Sequence, residues 1–189
     1  MESRTLFSFM MMSLDGYFED LDGSIAWMNL SDDFAAFSVS QLNDIGELVF
    51  GRRTYDGMVS YWTSDEARAS SPETSARMDA TPKTVLSSTP GAAGWSNVTV
   101  VDGDAVATVT ELKQRPGGDV AIFGSSTLTA HLLADGLVDE LRVIVAPVLL
   151  GGGSSLFAGL DAPVALDLAS TTTFGSGNVL LCYRPVRAT

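Results

Sequence analysis

Cysteine and histidine are almost absent from this sequence. A single cysteine, Cys182, cannot form an intramolecular disulfide and cannot build a zinc site of the cysteine-cluster type. With only one histidine, His131, a multi-histidine metal site is excluded as well. We therefore expect no metal site, and no Ser-His or Cys-His catalytic arrangement supported by more than one histidine.

Basic residues are scarce too. The chain carries 11 Lys and Arg against 23 Asp and Glu, which gives a net charge of −12. Such a chain repels a phosphate backbone unless its basic residues are strongly clustered, and the largest local group is the pair Arg52–Arg53. The distribution argues against a nucleic-acid partner and suits one small anion better.

Long apolar runs are also missing. No segment approaches the roughly 20 apolar residues that a membrane span requires. The N-terminal sequence MESRTLFSFMMMSLDG has neither a long apolar core nor a small-residue cleavage site, so we expect no signal peptide. These features predict a cytoplasmic protein without membrane contact. Hydrophobic residues still make up 46% of the 189 residues, which is enough for a folded core.

Strand-like and helix-like patterns alternate along the chain. The patterns predict strands at 5–12, 47–50, 83–88, 97–101, 119–124 and 139–150, and helices at 31–44, 53–62, 104–115 and 125–136, with a further surface helix and loops at 63–82. Two antiparallel strands, 165–174 and 178–185, follow around the turn GSGN. This order predicts one α/β domain over residues 1–189, with a mixed, mostly parallel central sheet flanked by helices and an antiparallel C-terminal edge.

Three strand-to-helix junctions carry the residues best suited to bind a ligand: FGRRTY, LSSTP and FGSSTLT. In an open α/β sheet, ligands bind beyond the carboxyl ends of the strands, where helix N-termini present unpaired N–H groups. In the last junction Gly124 permits close backbone approach, and Ser125, Ser126 and Thr127 add hydroxyls. Ordinary helix capping by these residues is the competing interpretation.

Arg52 and Arg53 stand at the start of a predicted helix, where their charge opposes the helix dipole. An anion would neutralise them, and a monophosphate held by an arginine fork and nearby hydroxyls fits. Ser87 and Ser88, at the end of the next strand, are candidates for those hydroxyls. Surface salt bridges to the many carboxylates are the alternative.

The glycine-rich segments do not match the common nucleotide-binding motifs. GGGSSL, at residues 151–156, has leucine where the dinucleotide fingerprint needs its last glycine, and no GxxxxGK[ST] motif is present. We interpret GGGSSL as a tight turn or bulge.

Taken in order, SLDG, Trp27, FGRRTY, VLSS, FGSSTL and DELRVIVAPVLLGGG resemble the dihydrofolate-reductase-like superfamily. The resemblance covers about residues 4 to 184 and is greatest to stand-alone relatives of the riboflavin-biosynthesis reductase, the C-terminal deaminase-reductase domain. It implies NADPH bound across the strand ends. The 2′-phosphate of NADPH would then be held by Gly51, Arg52, Arg53, Thr54, Ser87 and Ser88, and its pyrophosphate by Gly124, Ser125, Ser126 and Thr127.

The same resemblance assigns residues to the nicotinamide and substrate. The SLDG turn is similar to the segment beside the nicotinamide, which makes Ser13, Asp15 and Gly16 candidates, although Asp-Gly is also a common plain turn. AWMNLSDDFAAF is similar to the dihydrofolate reductase segment that places one carboxylate against the pterin, with Met28 inserted. It puts Asp33 in a proton-transfer role in an apolar pocket and Trp27 close to it. Complementing the helix dipole is the alternative for Asp33.

The expected activity is NADPH-dependent hydride transfer to a small pyrimidine-like or pterin-like heterocycle, similar to that of 5-amino-6-(5-phosphoribosylamino)uracil reductase. A true dihydrofolate reductase and a non-catalytic NADPH-binding protein are the alternatives. One departure from the family pattern is Phe123, which stands where the riboflavin reductase has a glutamate and suggests a less polar pocket floor. The apolar segment RVIVAPVLLGGG and the family habit also lead us to expect a homodimer.

Overall fold

Strands and helices alternate along the chain, and the computed structural model describes residues 3–89 and 94–186. The strands are β1 (Leu6–Ser13), β2 (Tyr17–Glu19), β3 (Ile45–Gly51), β4 (Lys83–Leu86), β5 (Val98–Val101), β6 (Asp119–Phe123), β7 (Glu140–Ala146), β8 (Ser154–Ser155), β9 (Leu166–Thr173) and β10 (Val179–Pro185). The helices are α1 (Asp32–Asp44), α2 (Arg52–Trp62), α3 (Asp65–Ser70), α4 (Pro72–Ala80), α5 (Ala105–Gln114) and α6 (Ser126–Ala134).

Eight of these strands form one mixed sheet in the order β5-β4-β3-β6-β1-β7-β10-β9. The six strands from β5 to β7 run parallel to one another, whereas β10 pairs antiparallel with both β7 and β9. The predicted mostly parallel sheet with an antiparallel C-terminal edge is therefore confirmed. Because the first six strands are parallel, their carboxyl ends lie along a single edge of the sheet.

Alternating side chains divide the core between the two faces of the sheet. Leu6, Val120 and Ile122 pack in one buried cluster, and the intervening Phe7 and Ala121 pack in another. The first cluster also includes residues of α5 and α6, and the second includes residues of α1, α2 and α4. Helices therefore cover both faces of the parallel part of the sheet, which is why these strands are continuously apolar.

Three predicted details differ from the structure. The strand predicted at 139–150 ends at Ala146, because Pro147 has no N–H for the ladder and glycines follow at 151–153. The segment 63–82 forms two separate helices, α3 and α4. A small second sheet, β2 paired antiparallel with β8, was not predicted, because strands of three and two residues are too short to show a periodic pattern.

Strand β9 is a bare edge of the large sheet. All eight of its residues are exposed, so neither face of this strand is covered by a helix. At the other edge, β5 has only four residues, and three of them are partly buried. In the described part of the chain, no helix is both long enough and apolar enough to cross a membrane.

Lys83 is buried where β4 begins. Its Nζ donates to the carbonyls of Thr81 at 2.7 Å and Ser96 at 3.2 Å, and it lies 4.5 Å from the centroid of the Trp95 ring. Burial lowers the pKa of this ammonium from 10.5 to about 8, and the Asp79 and Glu47 carboxylates partly oppose the change. Below pH 8 the Lys83 side chain is charged in the folded protein, although the folded state binds this proton less tightly than the unfolded chain does.

We expect the free energy of unfolding to rise as the pH increases from about 8 towards 10.5, because the native state has lost the Lys83 proton while the unfolded chain still holds it. Lys83→Met should remove this rise in urea denaturation measured at pH 7.5, 8.5 and 9.5. Lys113→Met, which removes the chain's only other ammonium side chain, is the control and should keep it. An equal rise in the Lys83 variant would contradict this account.

Candidate active site

The carboxyl edge of the sheet gathers the predicted junctions. Strands β4, β3, β6 and β1 are successive neighbours, so the segments after Leu86, Gly51, Phe123 and Ser13 emerge side by side. Residues far apart in sequence thereby form one continuous surface. This is the edge at which open α/β sheets bind ligands.

Two of these junctions are hydrogen-bonded directly to each other. The backbone N–H of Gly51 donates to Ser125 Oγ at 2.9 Å, and the backbone N–H of Ser125 donates to Thr54 Oγ1 at 3.0 Å. Ser125 adopts a left-handed conformation with φ of 57°. Gly51 and Ser125 are the N-cap residues of α2 and α6. Gly51 has no side chain, and the Ser125 side chain does not cap α6, so the first-turn N–H groups of both helices are left for another acceptor.

Gly124 makes this cross-link possible. It has a φ of +66°, and a Cβ atom built at this position would lie 2.8 Å from Thr54 Cγ2. Any side chain at this position would separate the two junctions. Gly124 and Thr54, both predicted from the sequence, are therefore brought into contact as parts of one cradle.

A cavity of about 300 Å³ opens at the start of α6. It is lined by Ser126 and Thr127 from the helix, Arg53 from α2, and residues from the β2–β8 side, among them Phe18, Ser154 and Leu156. The cavity thus combines hydroxyls, an uncapped helix N-terminus and one guanidinium group. This chemistry suits a phosphate group.

The two adjacent arginines point in different directions. Arg52 pairs with Asp56 on its own helix at 3.0 Å, and its Nη1 donates to the carbonyl of Thr89, just beyond β4, at 3.4 Å. Arg53 instead reaches Glu19 of β2 at 2.9 Å. The expectation that both guanidinium groups serve one phosphate is corrected by this geometry, because consecutive helical residues project about 100° apart.

Ser87 and Ser88 follow β4 on the Arg52 side of the cradle. The Ser87 hydroxyl donates to the Thr89 carbonyl and accepts from the Thr89 N–H, both at 3.1 Å, so it closes a local turn. Ser88 is exposed. These two serines and Arg52 therefore flank the same end of the site.

Asp15 joins two loops of the carboxyl edge. It accepts from Ser13 Oγ at 2.6 Å and from the backbone N–H groups of Leu150 and Gly151 at 3.1 and 2.7 Å. The hydrogen bonds from Ser13 and Gly151 lower the pKa of its carboxyl group to about 2. Asp15 is therefore ionised at neutral pH and cannot donate a proton there.

Gly16 completes this turn with a φ of +91°, and its carbonyl accepts from the N–H of Leu156 at 3.2 Å. Ser13 is fully buried, and its hydroxyl also accepts from the N–H of Tyr17 at 3.0 Å. Ser13, Asp15 and Gly16, which were predicted to lie beside the nicotinamide, therefore connect β2 and the segment around residue 150 to the end of β1.

The prediction that Asp33 lies in an apolar pocket is wrong. Its side chain is exposed, and its oxygens accept from the Ser31 hydroxyl, the Phe34 N–H at 3.0 Å and the Gly175 N–H at 2.8 Å. The Ser31 hydrogen bond is the main cause of a pKa below the usual range. Asp33 stabilises the α1 N-terminus and fixes the β9–β10 turn, so the geometry favours the helix-dipole interpretation over proton transfer.

Trp27 lies in the loop of residues 20 to 31 that joins β2 to α1, and it is partly buried. Its Nε1–H is buried and finds no hydrogen-bond partner among the residues that the structure describes. The carbonyl of nearby Asn29 accepts from Asn178 Nδ2 at 2.6 Å, which fixes this loop to the β9–β10 turn. Trp27 therefore stands with an unused donor on the β1 and β7 side of the edge.

Phe123 does not form an open pocket floor. It is 9% exposed and packs within the second core cluster, with its ring centroid 5.3 Å from that of Phe9. The substitution of phenylalanine for the family glutamate therefore extends the apolar core to the end of β6.

A larger cavity, about 450 Å³, lies at the opposite edge of the sheet. Its charged lining is largely neutralised, since Arg142 pairs with Glu140 at 2.6 Å and Asp139 with Lys113 at 2.6 Å. Within residues 3–89 and 94–186, no group of three or more His, Cys, Asp and Glu side chains is arranged to hold a metal ion. The cradle at the carboxyl edge is therefore the better candidate site.

The sequence model of the RibD C-terminal domain matches residues 4–180. The chain belongs to the RibD C-terminal domain family. The chain is also similar to the uncharacterized protein YyaP of Bacillus subtilis (strain 168), which is 29% identical over 172 residues, covering 91% of this chain and 90% of YyaP. The suspected relationship to the riboflavin reductase domain is therefore confirmed at the level of the family.

Comparison with solved structures shows that this chain has the dihydrofolate-reductase-like fold. A putative riboflavin biosynthesis protein from Shewanella sp. PV-4 superposes with a TM-score of 0.76 at 24% identity, covering 97% of this chain and 99% of that one. Dihydrofolate reductase from Enterococcus faecalis, complexed with NADP(H), superposes with a TM-score of 0.65 at 19% identity, covering 97% and 98% of the two chains.

Sequence reasoning missed Glu19 and Ser154. Glu19 is 9% exposed and accepts from Arg53 and, at 2.6 Å, from Ser154 Oγ. These residues meet only because β2 pairs with β8, which the sequence pattern did not reveal. A single acidic residue between two aromatics and an aspartate gives no signal of its own.

Gly124→Ala should destabilise the fold by about 1–3 kcal/mol in urea denaturation, since it combines a positive φ with the contact to Thr54 Cγ2. Adding Thr54→Ser should recover part of the loss, because serine lacks that methyl group but keeps the hydroxyl that accepts from Ser125. The coupling in this double-mutant cycle measures the contact.

Gly136→Ala is the matched control. Gly136 has a φ of +68° with nothing within 4 Å of a built Cβ, so this variant carries the backbone strain alone. Thr54→Ser should not rescue it. Simple additivity of Gly124→Ala and Thr54→Ser would show that the two junctions are not in contact.

Proposed function

We propose that this protein is an NADPH-dependent reductase that transfers hydride to a small planar heterocycle of the pyrimidine or pterin type. The observation that carries the proposal is the cross-linked pair of junctions at Gly51 and Ser125, which leaves two uncapped helix N-termini beside an arginine-lined cavity. Membership of the RibD C-terminal domain family and the fold shared with an NADP(H)-binding dihydrofolate reductase support it.

The residues present fit a dinucleotide phosphate. Because a Cβ at Gly124 would meet the methyl group of Thr54, glycine at this position lets the two junctions lie close enough to present both helix N-termini to one ligand. We assign the pyrophosphate to the α6 N-terminus, with Ser126, Thr127 and Arg53, and the 2′-phosphate to Arg52 with Ser87 and Ser88. This division follows the different directions of the two arginine side chains.

When bound, the reduced nicotinamide would supply a hydride, and the protein would orient the acceptor beside it. The Ser13–Gly16 turn at the end of β1 would support the ring. Neither Asp15 nor Asp33 is placed to donate a proton, because hydrogen bonds hold both carboxylates in the ionised form. We therefore assign the proton that completes the reduction to solvent water.

The alternatives are less well supported. A true dihydrofolate reductase would need Asp33 in an apolar pocket, and the Asp33 carboxylate is instead exposed and bonded to the β9–β10 turn. A non-catalytic NADPH-binding protein would use the same cradle. Oxidation of NADPH in the presence of pyrimidine and pterin substrates separates it from a reductase.

Arg52→Ala should weaken NADPH binding by roughly ten- to a hundredfold while changing NADH binding little, because it removes the partner assigned to the 2′-phosphate. Arg53→Ala should weaken both cofactors by similar factors, because both contain the pyrophosphate. Calorimetric titration of each variant with each cofactor gives the four affinities.

Arg68→Ala is the control for the loss of one positive charge, since Arg68 lies on α3 and pairs with Asp79 at 3.6 Å. It should leave both affinities close to those of the unmodified protein. Equal losses of NADPH and NADH affinity in Arg52→Ala would rule out the phosphate assignment.

We further propose that the protein is a homodimer paired through β9. An uncovered edge strand of eight residues exposes unpaired N–H and C=O groups, and β9 holds only one charged residue, Asp167. Two copies of a chain with net charge −12 repel one another least along such a segment. Antiparallel pairing of β9 with its own copy would also form a symmetric interface.

Thr172→Asp should shift the protein towards monomer in sedimentation velocity, because it places a charge on each copy within the pairing edge. Thr99→Asp, on the opposite edge strand β5, is the control and should not change the mass. A monomeric unmodified protein, or an unchanged mass in the Thr172 variant, would reject this interface.

A further inference from the structure

Positive charge is distributed very unevenly along the chain. Between Arg4 and Arg52, and again between Arg142 and Arg184, there is no Lys, Arg or His. The first of these segments contains eight acidic residues and the second contains two. Nearly half of the sequence therefore contains Asp and Glu but no basic residue.

The fold brings these two segments together at one end of the carboxyl edge. The N–H of Leu14 donates to the carbonyl of Val148 at 2.9 Å, and the N–H of Leu156 donates to the carbonyl of Gly16 at 3.2 Å. Asp33 and Asn29 bond to the β9–β10 turn in the same way. These loops surround the ends of β1 and β7, beside the cradle, where the substrate would lie against the nicotinamide.

The cation beside these loops, Arg53, is assigned above to the cofactor pyrophosphate and also pairs with Glu19. Arg53 makes two 2.9 Å contacts with Glu19, and Glu19 is also bonded to Ser154. Asp15, Asp20 and Asp22 stand on the loops themselves, and Asp32 and Asp33 lie in the first turn of α1, which follows them. A substrate anion at these loops would therefore lie near carboxylates, and the described residues of the loops include no Lys, Arg or His to pair with it.

The same loops are rich in exposed apolar side chains. Leu14 is 64% exposed, Leu21 84% and Leu149 70%, and Ile25 and Leu30 are more than half exposed. Together they are five of the six large hydrophobic residues that are more than half exposed in residues 3–89 and 94–186. Concentrated apolar surface of this kind marks a binding surface.

We propose that the substrate is a flat heterocycle that carries no phosphate or carboxylate and is neutral or cationic at neutral pH. This inference rests on the proposed reductase function and narrows its substrate class. The negative potential of the loops disfavours an anion and favours a cation, and the leucine-rich surface favours an apolar ring. Both a phosphoribosylaminopyrimidine and dihydrofolate, with its glutamate carboxylates, fall outside this class.

Two matched pairs of compounds test the proposal by calorimetric titration into the NADPH-saturated protein. One pair is 5-amino-6-ribosylaminouracil and its 5′-phosphate, and the other is 7,8-dihydrobiopterin and dihydrofolate. In at least one pair the uncharged member should bind roughly tenfold more tightly at low salt. That ratio should shrink in 0.5 M NaCl, because salt screens the repulsion.

Tighter or equal binding of the anionic member in both pairs would overturn the proposal, and so would failure of both uncharged compounds to bind. In either case, intact NADPH binding leaves the reductase function standing. Failure of NADPH itself to bind would count against the reductase function instead, so the two failures are distinguishable.

A charge-insertion variant checks the cause. Leu21→Arg adds a cation to an exposed position on these loops, so it should narrow the ratio between uncharged and phosphorylated members at low salt. Thr99→Arg adds the same charge to β5, at the opposite edge of the sheet, where Thr99 is exposed, and it should leave the ratio unchanged. An unchanged ratio in Leu21→Arg would show that the loop potential does not select the substrate.

Discussion

The contact between two strand–helix junctions organises the site of this protein. Strands β3 and β6 are parallel neighbours, so the chain leaves both at the same level and starts a helix from each. Two reciprocal hydrogen bonds through Ser125 then fix α2 and α6 relative to each other. Every other element of the candidate site is positioned around this pair. The arrangement depends on glycine at 124, where backbone must pass against the methyl group of Thr54.

Charge divides the carboxyl edge into two regions. Around the cradle, Arg52 and Arg53 provide the positive charge that an anionic cofactor needs. Around the ends of β1 and β7, carboxylates and leucines replace it. In a protein with net charge −12, the proposed dinucleotide and the proposed substrate would thus meet different electrostatic potentials at the two ends of the edge. The two preferences are compatible because they lie on different strands of the same sheet.

Much of the fold was predictable because its strands and helices are long enough to carry a pattern. The apolar runs of β1, β3 and β6 gave the parallel sheet, and the glycine and proline signals gave most of the boundaries. The short pairing of β2 with β8 left no such pattern, and Glu19 was missed with it. Gly51, Thr54, Gly124 and Ser125 were predicted as site residues because their types suit a tight junction, and the structure brings them into contact.

The sequence could not predict contacts made across long separations. Asp33 matched a catalytic position in a local motif, but its environment depends on Gly175, which lies 142 residues away. The directions of Arg52 and Arg53 likewise depend on Thr89 and Glu19, which only the folded sheet brings near. Local pattern identifies which residue types are suitable, whereas the pairing order of the strands decides what they touch.

The Asp15 carboxylate has a consequence for motion as well as for shape. It bonds Ser13 on one loop and the N–H groups of Leu150 and Gly151 on another, and these loops leave the neighbouring strands β1 and β7. While those bonds hold, the two loops are displaced as a single body. A ligand that shifts one loop would therefore shift the other, although 135 positions of chain separate the bonded residues Asp15 and Leu150.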